Sequence, residues 1–117
     1  MPAKKPAWAV WEETVNSALG LRGTISSGSK WYDPADGVTP EGHPIPMMLD
    51  AKSTERKSFS LRHDMLNEWE SRAAEQGKLF GLPIRFENAA GNRDFMVLSF
   101  TDFESLWSIA QAYIKEN

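Results

Sequence analysis

Asp50 and Lys52 flank Ala51 at the end of an apolar run, Met47-Met48-Leu49, that reads as a buried strand. Side chains two residues apart on a strand project from one face, so a carboxylate and an amine meet beside whatever binds there. Acid-x-Lys alone is a commonplace surface ion pair worth little. Two charges turned inward on an otherwise apolar strand call for a reason. A second acid lies on the first helix. Advancing about 100° per residue from Trp8 puts Glu12 about 40° round, beside the stripe of Trp8, Val15 and Leu19, and Glu13 about 140° round, towards solvent. Taken singly, a carboxylate at the edge of a core is an ordinary hydrogen-bonded helix residue. A third acid comes from Asp33-Pro34-Ala35-Asp36-Gly37, where Asp33 and Asp36 both precede turn residues and either can cap a turn. Gathered near one lysine, such carboxylates form an oxygen-only site suited to a hard cation such as Mg2+. That cation binds a phosphate oxygen, activates water and stabilises the charge that develops in phosphodiester hydrolysis.

Periodicity supplies the elements that would position these groups. Ala7 to Leu19 carries Trp8, Trp11, Val15 and Leu19 at steps of three and four and stops at Gly20. A second helix begins at Ser60 or Leu61, buries Met65, Leu66, Trp69 and Ala73, and closes at Gly77. A third opens on the capping box Thr101-Asp102-Phe103-Glu104 and buries Phe103, Leu106, Trp107, Ala110 and Ile114. Between the first two helices lie strand candidates at Leu21 to Ser26, Met47 to Lys52 and Lys57 to Leu61, with a stretch rich in Pro and Gly from Pro34 to Pro46. Leu79 to Glu87 and Asp94 to Phe100 follow, joined by the turn-like Asn88 to Asn92. Helix, strands, helix, two strands, helix suits an α/β fold with a mixed sheet flanked by helices.

Composition narrows the class. The chain has 117 residues, which suits one domain at 7–117 behind a flexible tail at 1–6. With no cysteine, a disulfide scaffold, a thiolate zinc site and a cysteine nucleophile are excluded, in keeping with a reducing cytoplasm. No signal-peptide core fits the first residues, and no apolar stretch approaches the ~20 residues that span a bilayer, so no membrane partner is expected. The formal net charge is −3, yet it is segregated: Lys52, Arg56, Lys57 and Arg62 face only Glu55, and the acidic run Asp64, Glu68, Glu70 and Glu75 that follows faces only Arg72. The acidic run reads as a solvated helix face, leaving the basic run to meet a polyanion. His43 and His63 stand apart without metal-ligand spacing, and Trp31 and Tyr32 suit either stacking on an unpaired base or packing on the sheet.

Glu12 with Val15 and Leu19, then Ser27-Gly28-Ser29, Pro34-Ala35-Asp36, Asp50-Ala51-Lys52-Ser53-Thr54 and Lys57-Ser58-Phe59-Ser60-Leu61 together resemble the PD-(D/E)XK nucleases, and most of all their small Holliday-junction resolvase branch of archaea and bacteriophage. The resemblance runs from the first helix through the second and more loosely into the last two strands. It implies a restriction-endonuclease-like mixed sheet in the order α-β-β-β-α-β-β-α. It also implies a Mg2+-dependent endodeoxyribonuclease, with Mn2+ able to substitute, that cuts branched or four-way DNA in recombination and repair as a homodimer, in a bacterial cell or a phage-infected host. Asp36 and Asp50 would hold the metal with the carbonyl of Ala51, Glu12 would complete the site through metal-bound water, and Lys52 would orient or activate the attacking water. Ser29 would contact phosphate or shape the loop beside it, and Lys30, Arg56, Lys57 and Arg62 are the candidates for contacts with the DNA backbone. The family's Pro-Asp pair is split here as Pro34-Ala35-Asp36, with Asp33 just before the proline, so either aspartate could be the metal ligand; Asp36 is favoured because Gly37 and Val38 can then lead into a strand that pairs with Met47 to Lys52. The low net charge departs from a strongly basic junction binder. Competing readings are a nicking, mismatch-directed or restriction-type nuclease of the same fold, and a non-catalytic DNA-binding or scaffold subunit.

Overall fold

Trp11 and Val15 bury the inner stripe of the first helix, α1 (Ala7–Leu19), which starts after the extended residue Pro6 and ends as read, on Gly20 in the left-handed region at φ 66°. The computed structural model describes residues 5–23, 37–39 and 44–116. Within them follow β1 (Arg22–Gly23), β2 (Gly37–Val38), β3 (Met47–Leu49), β4 (Lys52–Thr54), α2 (His63–Glu75), β5 (Leu79–Phe86), β6 (Asp94–Leu98) and α3 (Phe100–Glu116). The fold is α/β, a mixed sheet flanked by helices. β1 pairs β2 and β2 pairs β3, both antiparallel, as expected for Gly37 and Val38. β3 and β4 both run parallel to β5, and β6 runs antiparallel to it.

The strand read as Met47 to Lys52 is broken in the middle. β3 and β4 hold one register against β5, with Met47 opposite Leu79 and Lys52 opposite Ile84, so they are two halves of a single strand interrupted at Asp50 and Ala51. The cause lies across the sheet. The Asp50 N–H donates to the Gly81 carbonyl at 3.2 Å. In a parallel ladder the next bond would run from the N–H of residue 83 to the Asp50 carbonyl, and Pro83 has no N–H to give. The sheet therefore loosens beside Asp50.

Each face of the sheet carries a core. On one, Val38, Met48, Phe80, Leu82 and Ile84 are buried under Ala73 of α2, with Met65, Leu66 and Trp69 half-buried around them. Trp69 stacks on Phe80 with ring centroids 5.6 Å apart. On the other, Leu49 and Ala51 lie under Trp11 and Val15 of α1.

Several sequence expectations are corrected. Lys57 to Leu61 forms no strand, because the ladder to β5 ends at Thr54 opposite Phe86, where β5 gives way to a turn; of that segment only Phe59 packs on the core. α2 begins at His63, after Ser60 and Leu61. Trp8 and Leu19, read as part of the buried stripe of α1, are exposed. α3 starts at Phe100, and its cap is Ser99, whose Oγ accepts the Asp102 N–H at 3.1 Å; Thr101 lies inside the helix, so the Thr101–Glu104 box does not form its start. The largest departure is that no residue of α3 is buried, and Phe103, Trp107 and Ile114, expected in the core, stand exposed. A link of one residue, Ser99, joins β6 to α3. Strand-to-helix connections that fold back onto a sheet take about 2 to 6 residues, so this one directs the helix off the end of β6.

Candidate active site

The break between β3 and β4 sets two charges side by side. Asp50 is only 4% exposed, among the few buried polar residues of the described chain. The Lys52 Nζ lies 3.4 Å from its Oδ1, while the lysine side chain remains 46% exposed. The two groups thus project together, as the strand spacing requires, with the carboxylate inside and the amine at its mouth. A buried carboxylate is costly unless it is paired and hydrogen-bonded. Strand halves pinned to β5 on both sides of the break hold this one in place.

Glu12 is half-buried on α1, which packs against β4, whereas Glu13 is exposed and ion-paired with Lys5, as the helical angles imply. The rotation of α1 is fixed by its neighbour. The Trp11 Nε1–H donates to the Pro83 carbonyl at 3.2 Å, and the Arg85 guanidinium sits 4.3 Å from the Trp11 ring centre. Arg85 in turn makes a two-bond pair with Asp94, Nε to Oδ1 at 2.8 Å and Nη2 to Oδ2 at 3.0 Å. That hydrogen bond raises Arg85 above its ordinary value and holds the Asp94 carboxyl below its own, against the opposing effect of burial. Sequence reading missed this clamp. Its signal was the inward-facing position of Arg85 on β5, directly opposite Asp94 on β6.

Beyond Lys52, the bend at 55–57 is held by three bonds: the Arg56 N–H to Thr54 Oγ1 at 3.1 Å, the Glu87 N–H to the Thr54 carbonyl at 2.8 Å, and the Asn88 side-chain amide to the Glu55 carbonyl at 3.2 Å. This presents Arg56 and Lys57 at the surface, beside a cavity of about 580 Å³ that Phe86 and Asn88 also line. Arg62 is differently placed, its guanidinium engaged by Asp64 through Nε at 3.1 Å and Nη2 at 2.9 Å. His63 is exposed at the start of α2. Ser29, Lys30, Trp31, Tyr32, Asp33, Asp36 and His43 lie outside the described residues.

The donor set can be tested against a metal. The Asp50 carboxylate and the Ala51 carbonyl at the strand break are oxygen donors of the kind a hard cation takes. Among the described residues no three His, Cys, Asp or Glu side chains gather as a metal cage. Among the described residues, too, no helix is long and apolar enough to cross a membrane.

Hjc of Archaeoglobus fulgidus, a Holliday junction resolvase from an archaeal hyperthermophile, superposes with a TM-score of 0.54 over 78% of this chain and 88% of that one. The chain shares its fold with a resolvase. The two sequences are 13% identical, so the likeness is one of architecture. No family model matches the sequence, and no curated protein matches it. In the resolvase-like fold of this chain, α1 covers one face of the sheet, α2 the other, and the broken strand carries Asp50 and Lys52 between them.

Proposed function

We propose that this chain is a metal-dependent, structure-selective DNA endonuclease that resolves four-way junctions by hydrolysing phosphodiesters. The observation that carries the reading is the buried Asp50 paired to Lys52 at a break in the central sheet. The pairing of β2 with β3 adds to it. Gly37 and Leu49 face each other across the two strands, and Asp36 and Asp50 are their respective neighbours in the sequence. Asp33 is three residues further off, which favours Asp36 as the second ligand.

Asp36, Asp50 and the Ala51 carbonyl would hold Mg2+, with Glu12 reaching it through water and Mn2+ able to replace it. When bound, the cation supplies Lewis-acid polarisation of a phosphate oxygen and a more acidic water. Lys52 orients the attacking water and offsets the negative charge that grows at the scissile phosphate. Arg56 and Lys57 hold the DNA backbone without reading sequence, joined by Ser29 and Lys30; Arg62 contributes only where phosphate displaces Asp64. Resolving a junction takes two incisions, so the working form is a homodimer with two sites.

The test offers matched four-way, flap, nicked and linear DNAs to the purified protein in Mg2+ or Mn2+. Cleavage of the four-way substrate is expected. Asp50→Ala and Lys52→Ala should each lower it by about 100-fold or more while folding and DNA binding persist. Equal cutting of linear duplex would replace the junction reading with a duplex nuclease, and no metal-dependent cutting of any substrate would leave a DNA-binding subunit.

A further inference from the structure

We infer that α3 is a docking arm for a second copy of this chain, and that it lies across the uncovered β6 edge and the adjoining α1 groove of that copy. The inference deepens the two-site reading above by naming the surface through which two copies meet. It stands on three observations of its own.

The first is the arm. Phe100, Phe103, Trp107 and Ile114 recur at steps of three, four and seven along α3 and share one face. They are uncovered: Phe100 is 79% exposed, Trp107 56% and Ile114 70%. The second is the receiving surface. β6 pairs only with β5 among the described strands, leaving a sheet edge on which Phe95 and Met96 are exposed. Beside it, Trp11, Val15, Leu19 and Pro83 line a groove between α1 and β6 of about 310 Å³. An exposed apolar edge strand invites pairing with another chain unless something covers it. The third is that α3, joined to β6 by Ser99 alone, buries none of its residues and contributes none to the lining of that groove.

One chain therefore carries an uncovered apolar helix and an uncovered apolar groove that it does not close on itself. A two-fold axis closes both at once, because each copy's helix meets the other copy's groove. The areas agree. The exposed apolar side chains of α3 offer on the order of 600 Å², and Phe95, Met96 and Leu19 bring the total to on the order of 800 Å² per copy, which matches the roughly 800 Å² per partner of a stable interface.

The experiment measures the mass of the full chain, free of DNA, by size exclusion with light scattering, and expects twice the 13.2 kDa of one chain. Trp107→Glu combined with Ile114→Glu should give a monomer with an unchanged circular dichroism spectrum, since neither side chain enters the core. As the chain has no cysteine, single Trp107→Cys and Met96→Cys proteins can be mixed with a short bismaleimide. The expected product joins one variant to the other. A monomeric parent, a dimer indifferent to the two glutamates, or Trp107→Cys linked only to itself would each overturn the inference. A monomer that still cuts junctions would sink the docking arm alone, and a dimer that cuts nothing would sink the nuclease reading alone.

Discussion

Helix α2 lays Met65, Leu66, Trp69 and Ala73 onto the sheet, whereas α3 carries a stripe richer in aromatics, Phe100, Phe103, Trp107 and Ile114, and buries none of it. Both helices are read from sequence by the same periodicity, which gives α3 the stripe Phe103, Leu106, Trp107, Ala110 and Ile114 and leaves Phe100 to the preceding strand. The difference lies in how each helix leaves its strand. Eight residues, 55–62, separate β4 from α2 and let it turn back over Phe80 and Leu82, while Ser99 alone separates β6 from α3. Periodicity says that a helix has a face to cover; the length of the connection decides whether its own chain can cover it.

Disturbing the layer beneath α2 should cost the fold most. Leu82, 1% exposed, sits beneath α2 in the β5 layer. Leu82→Ala removes buried methyl groups and leaves a cavity between two close-packed layers, and is expected to cost about 2 to 5 kcal/mol. Denaturant unfolding would measure it; a loss below about 1 kcal/mol would mean that the α2 side is as loosely held as α3.

A smaller effect is expected on the opposite face, where Arg85 bridges Trp11 and Asp94. Asp94→Asn leaves a largely buried guanidinium without its charged partner and should cost about 1 to 3 kcal/mol at neutral pH. The pH dependence follows from sign. The hydrogen bond from Arg85 holds the folded Asp94 below its ordinary value. Its contribution is therefore complete above about pH 4 and disappears as the pH falls through the depressed value. The parent's melting temperature should drop more steeply than the variant's across that acid range, and parallel profiles would show that the pair does not stabilise the fold.

How much of this was legible depends on the range over which the information acts. The span of α1, its stop at Gly20 and the inward tilt of Glu12 are local, and the sequence carries them within one helix. Gly37 and Val38 enter a strand only through the family resemblance, in choosing Asp36 over Asp33; locally the stretch Pro34 to Pro46 reads as a Pro- and Gly-rich connection. The break at Asp50 could not be read locally, since its cause, Pro83, lies 33 residues on and acts only once β3 and β5 are in register. The Arg85–Asp94 pair needs the register across the 87–93 turn in the same way. Ser99 and Thr101 both stand three residues ahead of an acid; the early end of β6 at Leu98 selects the first. The spacing of Asp50 and Lys52 was visible as a motif, but the burial of one beside the exposure of the other belongs to the fold.

The mildest perturbation bears most directly on the α2–α3 contrast. Trp107 touches Phe103 within its own helix, with ring centroids 5.9 Å apart, and is otherwise turned outward. In a dilute solution, where copies are separate, Trp107→Ala should therefore change stability by no more than about 0.5 kcal/mol, as for an ordinary surface position. Concentration supplies the second axis. A fold that gains a partner through α3 has a melting temperature that climbs with protein concentration by mass action, and truncating Trp107 should flatten that climb while leaving the dilute limit where it was. If the variant instead loses several kcal/mol at every concentration, α3 is part of the monomer's core after all, and the contrast between the two helices collapses.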